Sequence, residues 1–249
     1  MAKPQIVLVP GAWHTPDCFD IITEKLKAHG YTVHSLQMPA VGRDDNPVKD
    51  LEEDYAALRE VVNRAIGEGN DVVVVPHSWA GIPVTGGLSG FGKKKRQELG
   101  LPGGIVKCAY IASLIIPEGQ SLSSVLPGDK PDWWEVRGPL AIVKNYRPFY
   151  DPDIPAQEQE VLAKRLKSHS LATFVTPITS ASWREIPTSY LLCEDDQSFP
   201  AFAQELMTNA AKDMGADIDV QRVKAGHSPF LSQPDAVVDF IRRAAGEKV

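Results

Sequence analysis

Apolar residues recur along this chain in two alternating patterns. Short runs of aliphatic residues, typical of strands buried in a parallel sheet, alternate with longer segments whose apolar residues stand three or four positions apart, as on one helix face. The predicted strands are 5–9, 31–36, 72–75, 105–112, 188–193 and 218–223. The predicted helices are 16–29, 51–66, 156–167, 200–214 and 235–245, with one more starting at Trp79. This alternation predicts an α/β fold with a mostly parallel central sheet and helices on both faces.

The alternation stops between residues 117 and 184, a segment rich in proline and aromatic residues. We interpret 117–184 as a cap, or lid, inserted into a core formed by 1–116 and 185–249. Two adjacent tryptophans, Trp133 and Trp134, lie in this segment. They either line a ligand cavity or pack the cap onto the core.

Composition narrows the range of partners and compartments. A net charge of −6 and a pI of about 5.5 argue against a nucleic-acid partner. No apolar stretch approaches the roughly 20 residues of a membrane span, so no membrane partner is expected. The three cysteines are widely spaced, which favours core residues in a reducing, cytoplasmic compartment over a disulfide framework. The basic run 93–96 lies among glycines and is expected on a solvated loop of a surface insertion, 90–104.

Ser78 follows the most apolar of the predicted strands. The strand 72–75 stops at Pro76, and a predicted helix begins almost at once after the serine. A serine on such a sharp strand-to-helix turn is a nucleophile elbow, which needs small neighbours such as Ala80 and Gly81 because two backbones approach closely. Pro76 stands where this motif usually has glycine, and the alternative is an ordinary loop serine after a core strand.

A serine hydroxyl needs an adjacent base, normally a histidine held by a carboxylate. His227 follows the last predicted strand on a glycine-containing loop. Asp196 follows the strand before it and is the favoured carboxylate, with Asp195 as the alternative. The order serine, aspartate, histidine, each after its own strand, is the chain order of α/β-hydrolases.

Two backbone N–H groups are expected to hold the oxyanion that forms when a serine attacks an ester. One belongs to Trp79, the residue after the serine, and the other to Ala12 in the loop after the first strand. His14 in the same loop is a candidate substrate contact, whereas His77 is expected to point away from the serine. The predicted substrate-binding residues are Trp13, Trp133, Trp134 and Phe230.

Several segments resemble the α/β-hydrolase superfamily, and most closely the branch of plant methyl esterases and hydroxynitrile lyases. The matching segments are 7–12, 76–81, 190–196 with Pro200, and 225–227. The resemblance implies Ser78, Asp196 and His227 as the catalytic triad. Two departures matter. The first loop has Pro10-Gly11 where the family usually has His-Gly, and Ser228 replaces the lysine that follows the histidine in the lyases, which argues against lyase activity.

The resulting hypothesis is a cofactor-independent, metal-free serine esterase that acts on a small, largely apolar carboxylic ester through an acyl-enzyme. Its expected partner is that small-molecule ester, and the sequence leaves a homodimer open. Two alternatives remain. One is a non-hydrolytic enzyme of the same fold that catalyses lysis, acyl transfer or cyclisation in a biosynthetic pathway. The other is a ligand receptor built on the hydrolase scaffold.

Overall fold

The computed structural model describes residues 2–126 and 130–249. Nine strands in this part of the chain are β1 Gln5–Val9, β2 Val33–Ser35, β3 Asp71–Pro76, β4 Gly104–Ile111, β5 Trp134–Arg137, β6 Leu140–Val143, β7 His169–Ser170, β8 Thr188–Cys193 and β9 Ile218–Val223. Six of them form one parallel sheet in the order β2, β1, β3, β4, β8, β9. This sheet confirms the predicted α/β fold.

Helices cover both faces of the sheet. In the described residues they are α1 Asp20–Ala28, α2 Glu52–Ile66, α3 Gly81–Gly87, α4 Lys93–Glu98, α5 Leu122–Val125, α6 Arg147–Tyr150, α7 Ala156–Ala163, α8 Ala172–Val175, α9 Ala201–Asp213, α10 Pro229–Ser232 and α11 Pro234–Ala244. The sequence of β3 is continuously apolar because its alternate valines face opposite sides of the sheet and both sides are buried. Val72 and Val74 pack in one buried cluster with α2, whereas Val73 and Val75 pack in the opposite cluster with α1 and α11.

The segment 117–184 carries its own small antiparallel sheet, in the order β5, β6, β7. The indole Nε1–H of Trp13, from the loop after β1, donates to the carbonyl oxygen of Ala141 at 2.9 Å. The rings of Trp134 and Phe174 pack edge to face with centroids 5.5 Å apart. The interpretation of this segment as a cap stays a prediction.

Two local expectations differ from the structure. The basic run lies on a helix rather than a loop, since α4 covers Lys93–Glu98 and the Lys93 Nζ contacts an Asp71 carboxylate oxygen at 2.8 Å. In helix α9, the face with regularly spaced apolar residues is not the buried face. Its Phe202 and Leu206 are exposed, while Gln204 is fully buried. The helix takes this orientation because the Gln204 amide has buried polar partners, which are described below.

Candidate active site

Ser78 lies on a tight turn between β3 and α3. The turn is a short 3₁₀ helix, Ser78–Ala80, and Ser78 itself has φ of 55°. A positive φ is uncommon for a residue with a side chain and must be held in place by its surroundings. Two donors anchor the Ser78 carbonyl oxygen, the Ser113 hydroxyl at 2.7 Å and the Leu114 N–H at 3.1 Å. The hydroxyl group is therefore presented by a turn fixed to the end of β4.

Glycines allow the close backbone contacts around this turn. A Cβ on Gly81 would lie 2.1 Å from the Leu114 carbonyl oxygen, so a side chain there would force α3 away from the chain after β4. A Cβ on Gly11 would lie 2.9 Å from the Ser78 Cβ. Because Gly11 has no side chain, the loop after β1 passes directly beside Ser78.

Three predicted residues meet in one hydrogen-bonded chain. The His227 Nδ1 lies 2.7 Å from the Asp196 Oδ2, and the His227 Nε2 lies 2.9 Å from the Ser78 Oγ. The His227 and Asp196 side chains are buried. When Nδ1–H donates to the carboxylate, Nε2 is free to accept the serine proton. Of the two candidate aspartates, Asp196 contacts the imidazole, whereas Asp195 is partly exposed.

Asp196 is held by further donors. Its Oδ1 accepts hydrogen bonds from the backbone N–H groups of Ser198 and Phe199, both at 2.8 Å. Its Oδ2 accepts from the Gln204 side-chain amide at 3.1 Å, in addition to His227. Four donors around one buried carboxyl group hold it in a single orientation.

Gln204 is a site residue that the sequence analysis missed. Its amide nitrogen also donates to the Phe199 carbonyl oxygen at 2.6 Å, and its Oε1 accepts from the Cys193 N–H at 3.2 Å. The side chain thus links the end of β8, the loop that carries Asp196, and α9. The signal in the sequence is weak: a glutamine at a helix position eight residues after the aspartate.

The inserted segment contacts the loop that carries His227. The Asp153 Oδ2 accepts hydrogen bonds from the Gly226 N–H at 2.7 Å and from the Ser232 hydroxyl at 2.9 Å. A Cβ on Gly226 would lie 2.4 Å from the Asp151 carbonyl oxygen. The backbone before His227 is therefore packed tightly against residues 151–153, and Asp153 fixes it with two hydrogen bonds.

Two other histidines, His14 and His77, lie near the hydrogen-bonded residues Ser78, His227 and Asp196 but stay neutral. The His77 Nε2–H donates to the His227 carbonyl oxygen at 2.9 Å, and burial holds the pKa of His77 well below its ordinary value. Burial lowers the pKa of His14 to about 4. The His14 Nδ1–H donates to the Ala12 carbonyl oxygen at 2.9 Å, and the ring lies outside the cavity over Ser78, contrary to its prediction as a substrate contact.

A small apolar cavity of about 90 Å³ lies over Ser78. It is lined by Ala12, Trp13, Ser78, Trp79, Ala112, Leu114, Leu122, Leu126, Pro131, Trp133, Trp134, Phe174, Ser198 and Phe199. Among the described residues, no charged side chain contributes to this lining. The three tryptophans predicted to bind substrate all lie here, and the ring centroid of Trp13 is 5.5 Å from that of Trp133 and 6.3 Å from that of Trp134.

Phe230 was wrongly predicted to lie in this lining. The Phe230 ring is fully buried. Its centroid lies 4.9 Å from that of the Phe19 ring and 4.8 Å from that of the His77 ring. It follows a proline at the start of α10, which turns its side chain into the apolar cluster with α1 and α11 rather than towards Ser78.

Within residues 2–126 and 130–249, no three histidine, cysteine or acidic side chains gather as metal ligands would. None of the helices in these same ranges has the length and apolar character needed to cross a bilayer.

The chain is similar to several known proteins. A family model described as "Alpha/beta hydrolase family" matches residues 6–240. The chain is 33% identical to the alpha/beta hydrolase nvfD of Aspergillus novofumigatus, covering 100% of this chain and 99% of that protein. A crystal structure of a pyrethroid hydrolase from Sphingobium faniae JZ-2 is 21% identical, with a TM-score of 0.76 and 98% of each chain covered. The methylesterase MES16 from Arabidopsis is 19% identical, with a TM-score of 0.71, covering 98% of this chain and 99% of that chain.

Proposed function

This chain belongs to the alpha/beta hydrolase family, and we propose that it is a serine esterase acting on an apolar carboxylic ester. The proposal rests above all on one observation, the hydrogen-bonded chain Asp196–His227–Ser78 with links of 2.7 and 2.9 Å. Serine, base and orienting carboxylate in this order are the arrangement that activates a hydroxyl group for acyl transfer.

In the proposed first step, the Ser78 Oγ attacks the ester carbonyl carbon while the His227 Nε2 takes its proton. Asp196 stays ionised, keeps the imidazole in the tautomer that accepts this proton, and stabilises the imidazolium that forms. Its two backbone donors, Ser198 and Phe199, support that role because they hold the carboxylate in one orientation.

The oxyanion formed in this step is assigned to the backbone N–H groups of Ala12 and Trp79. Both residues line the cavity with Ser78, and the close approach at Gly11 brings the first loop beside the serine. Two preorganised amide donors in a water-poor site lower the barrier by several kcal/mol, about 2.7–4 kcal/mol for each donor in comparable enzymes.

The intermediate then collapses. The C–O bond to the alcohol breaks, and the alcohol leaves with the proton held by His227. Water enters, gives a proton to the His227 Nε2 and attacks the acyl carbon, which releases the carboxylic acid and returns the proton to Ser78. The whole cycle needs only water and the ester.

The substrate is proposed to be neutral and apolar around its carbonyl group. The cavity over Ser78 offers aromatic rings and no charged partner for an ionised acyl group, as far as the described residues go. Burying an unpaired charge there would be costly, so charged acyl groups should be rejected.

Initial rates on p-nitrophenyl esters test this function. We expect turnover of neutral acetate and benzoate esters, weak turnover of a succinate monoester, and loss of turnover by at least about a thousandfold in Ser78→Ala and His227→Ala. Undiminished activity in Ser78→Ala, or a preference for the charged ester, would contradict the proposal.

A second function is acyl transfer from the same acyl-enzyme to an alcohol or carbon nucleophile. The apolar lining favours it, because this lining has few polar groups to hold a hydrolytic water. A stoichiometric burst of p-nitrophenol followed by slow turnover, accelerated by added alcohols, would favour transfer over hydrolysis.

A further inference from the structure

The exposed side of α9 is apolar. The side chains of Phe202 and Leu206 are 70% and 71% exposed, whereas the polar Gln204 and Thr208 are buried. Single exposed apolar residues are ordinary on protein surfaces. These two lie together on one helix face, four residues apart, and both border the same cavity. A grouped apolar surface of this kind marks a binding site.

That cavity, here called the outer groove, has a volume of about 470 Å³. It lies between α9 and the chain that follows β4. Ligand pockets for organic molecules usually span about 300–1,000 Å³. The outer groove falls in this range, while the cavity over Ser78, at about 90 Å³, holds only a small part of such a molecule.

The outer groove adjoins the cavity over Ser78. Five residues line both volumes, namely Leu114, Leu126, Pro131, Ser198 and Phe199. A molecule with its carbonyl group at Ser78 that extends past these residues would reach α9. Ser198 and Phe199 are also the residues whose N–H groups bind Asp196, so the wall shared by the two volumes is held rigidly by the site itself.

We propose that the outer groove binds a long hydrocarbon substituent of the ester while the small cavity holds its carbonyl end. This inference rests on the proposed esterase function and narrows its substrate class to esters with an extended apolar part. The lining of the outer groove supports a hydrocarbon: among the described residues, and apart from Ser198, it is made of aliphatic, aromatic and methionine side chains, including Met207 and Met214. Methionine suits flexible or branched ligands because its side chain adapts to their shape.

The first experiment compares kcat/KM along two ester series. One extends the acyl chain of p-nitrophenyl esters from two to ten carbons, and the other extends the alcohol chain of acetate esters over the same range. We expect kcat/KM to rise by about tenfold or more with length in the series whose chain enters the groove, and to stay flat in the other. The responding series shows whether the acyl or the alcohol side lies on α9. Flat profiles in both series would overturn the proposal.

The second experiment uses the double variant Phe202→Ser/Leu206→Ser, in which both changed side chains are mostly exposed and therefore of little importance for folding. The ratio of kcat/KM for the longest to the shortest ester should fall by about tenfold in this variant. Val161→Ser is the matched control, since Val161 is 52% exposed and lies outside both cavities. An unchanged ratio in the double variant, or an equal fall in the control, would overturn the proposal.

Binding to the Ser78→Ala variant separates this proposal from the proposed function. Calorimetry with decyl acetate and with ethyl decanoate, which carry the long chain on the alcohol and on the acyl side, needs no turnover. If no ester is hydrolysed but one of the two long esters binds, and binding is lost with the α9 substitutions, the groove stands and the esterase function fails. If short esters are hydrolysed but neither long ester binds better than ethyl acetate, the groove fails and the function stands. A wild-type dimer in sedimentation that the α9 substitutions dissociate, with the ester ratio unchanged, would assign this face to a second copy and also overturn the proposal.

Discussion

Replacement of Gln204 by leucine should damage the active site without changing either cavity. Gln204 lines neither the small cavity nor the outer groove, yet its amide contacts the Asp196 Oδ2, the Phe199 carbonyl oxygen and the Cys193 N–H. Leucine fills a similar volume and makes none of these contacts. The variant therefore isolates the hydrogen bonds that hold the carboxylate.

The expected magnitudes follow from those contacts. A buried polar group left without a partner costs about 1–3 kcal/mol, so leaving the Phe199 and Cys193 backbone groups unpaired should lower the free energy of unfolding by about 2–6 kcal/mol. A hydrogen bond to an ionised group contributes about 1.5–3 kcal/mol. If that orientation energy is realised in the transition state, kcat should fall by roughly tenfold to a hundredfold. KM for a short ester should change little, because the lining is intact.

The assay combines urea unfolding with kcat measured per active site, titrated by a fluorophosphonate so that unfolded protein does not count. Thr208→Val is the matched control. Thr208 is buried on the same helix face, but its hydroxyl donates only within α9, to the carbonyl oxygens of Gln204 and Glu205. It should lose some stability and keep kcat per site. A Gln204→Leu variant that loses stability yet keeps wild-type kcat per site would refute the positioning role.

Three further predictions concern single substitutions. Burial raises the pKa of Asp54 to about 7. The contribution of Asp54 to the free energy of unfolding should therefore be full below its unfolded pKa of about 4 and lost as the pH rises through 7. Asp54→Asn should flatten this pH dependence in urea unfolding measured from pH 4.5 to 8. Asp153→Ala should lower kcat/KM by about tenfold, because it frees the loop before His227, and Ser232→Ala should lower it less, since the Gly226 contact remains. Gly81→Ala should lower the melting temperature by 10 °C or more, because its Cβ would lie 2.1 Å from a backbone carbonyl oxygen and each kcal/mol of lost stability lowers the melting temperature by about 2–4 °C. A melting temperature within 2 °C of wild type would contradict that clash.

The parallel sheet and the placement of Ser78, Asp196 and His227 at one edge of it were accessible from the sequence for one physical reason. Parallel strands end at the same edge of a sheet, and each of these residues follows the end of a strand: Ser78 follows β3, Asp196 follows β8 and His227 follows β9. Once the alternation predicted a parallel sheet, the three residues were expected at the same edge of it. The distances between their atoms needed the structure.

The orientation of α9 was not accessible in this way. Periodicity identifies the apolar face of a helix but assumes that this face is buried. Here buried polar partners hold Gln204 inward, and the apolar face points outward beside a cavity. The prediction that Phe230 binds substrate was wrong for a related reason. Proximity to His227 in the sequence does not fix the direction of a side chain on a turn. Asp153 binds Gly226, the residue before His227, but it lies 74 residues before His227 in the sequence. No local pattern connects the two.

Active-site labelling of Ser78 tests the proposed function most directly. Wild-type protein, Ser78→Ala and His227→Ala would each be treated with a fluorophosphonate and examined by intact mass and by mapping of the labelled peptide. We expect one adduct on wild type, located on Ser78, none on Ser78→Ala, and labelling slowed by at least about a hundredfold in His227→Ala. Folded wild-type protein that takes no label, or label that persists in Ser78→Ala, would contradict an activated serine at this position.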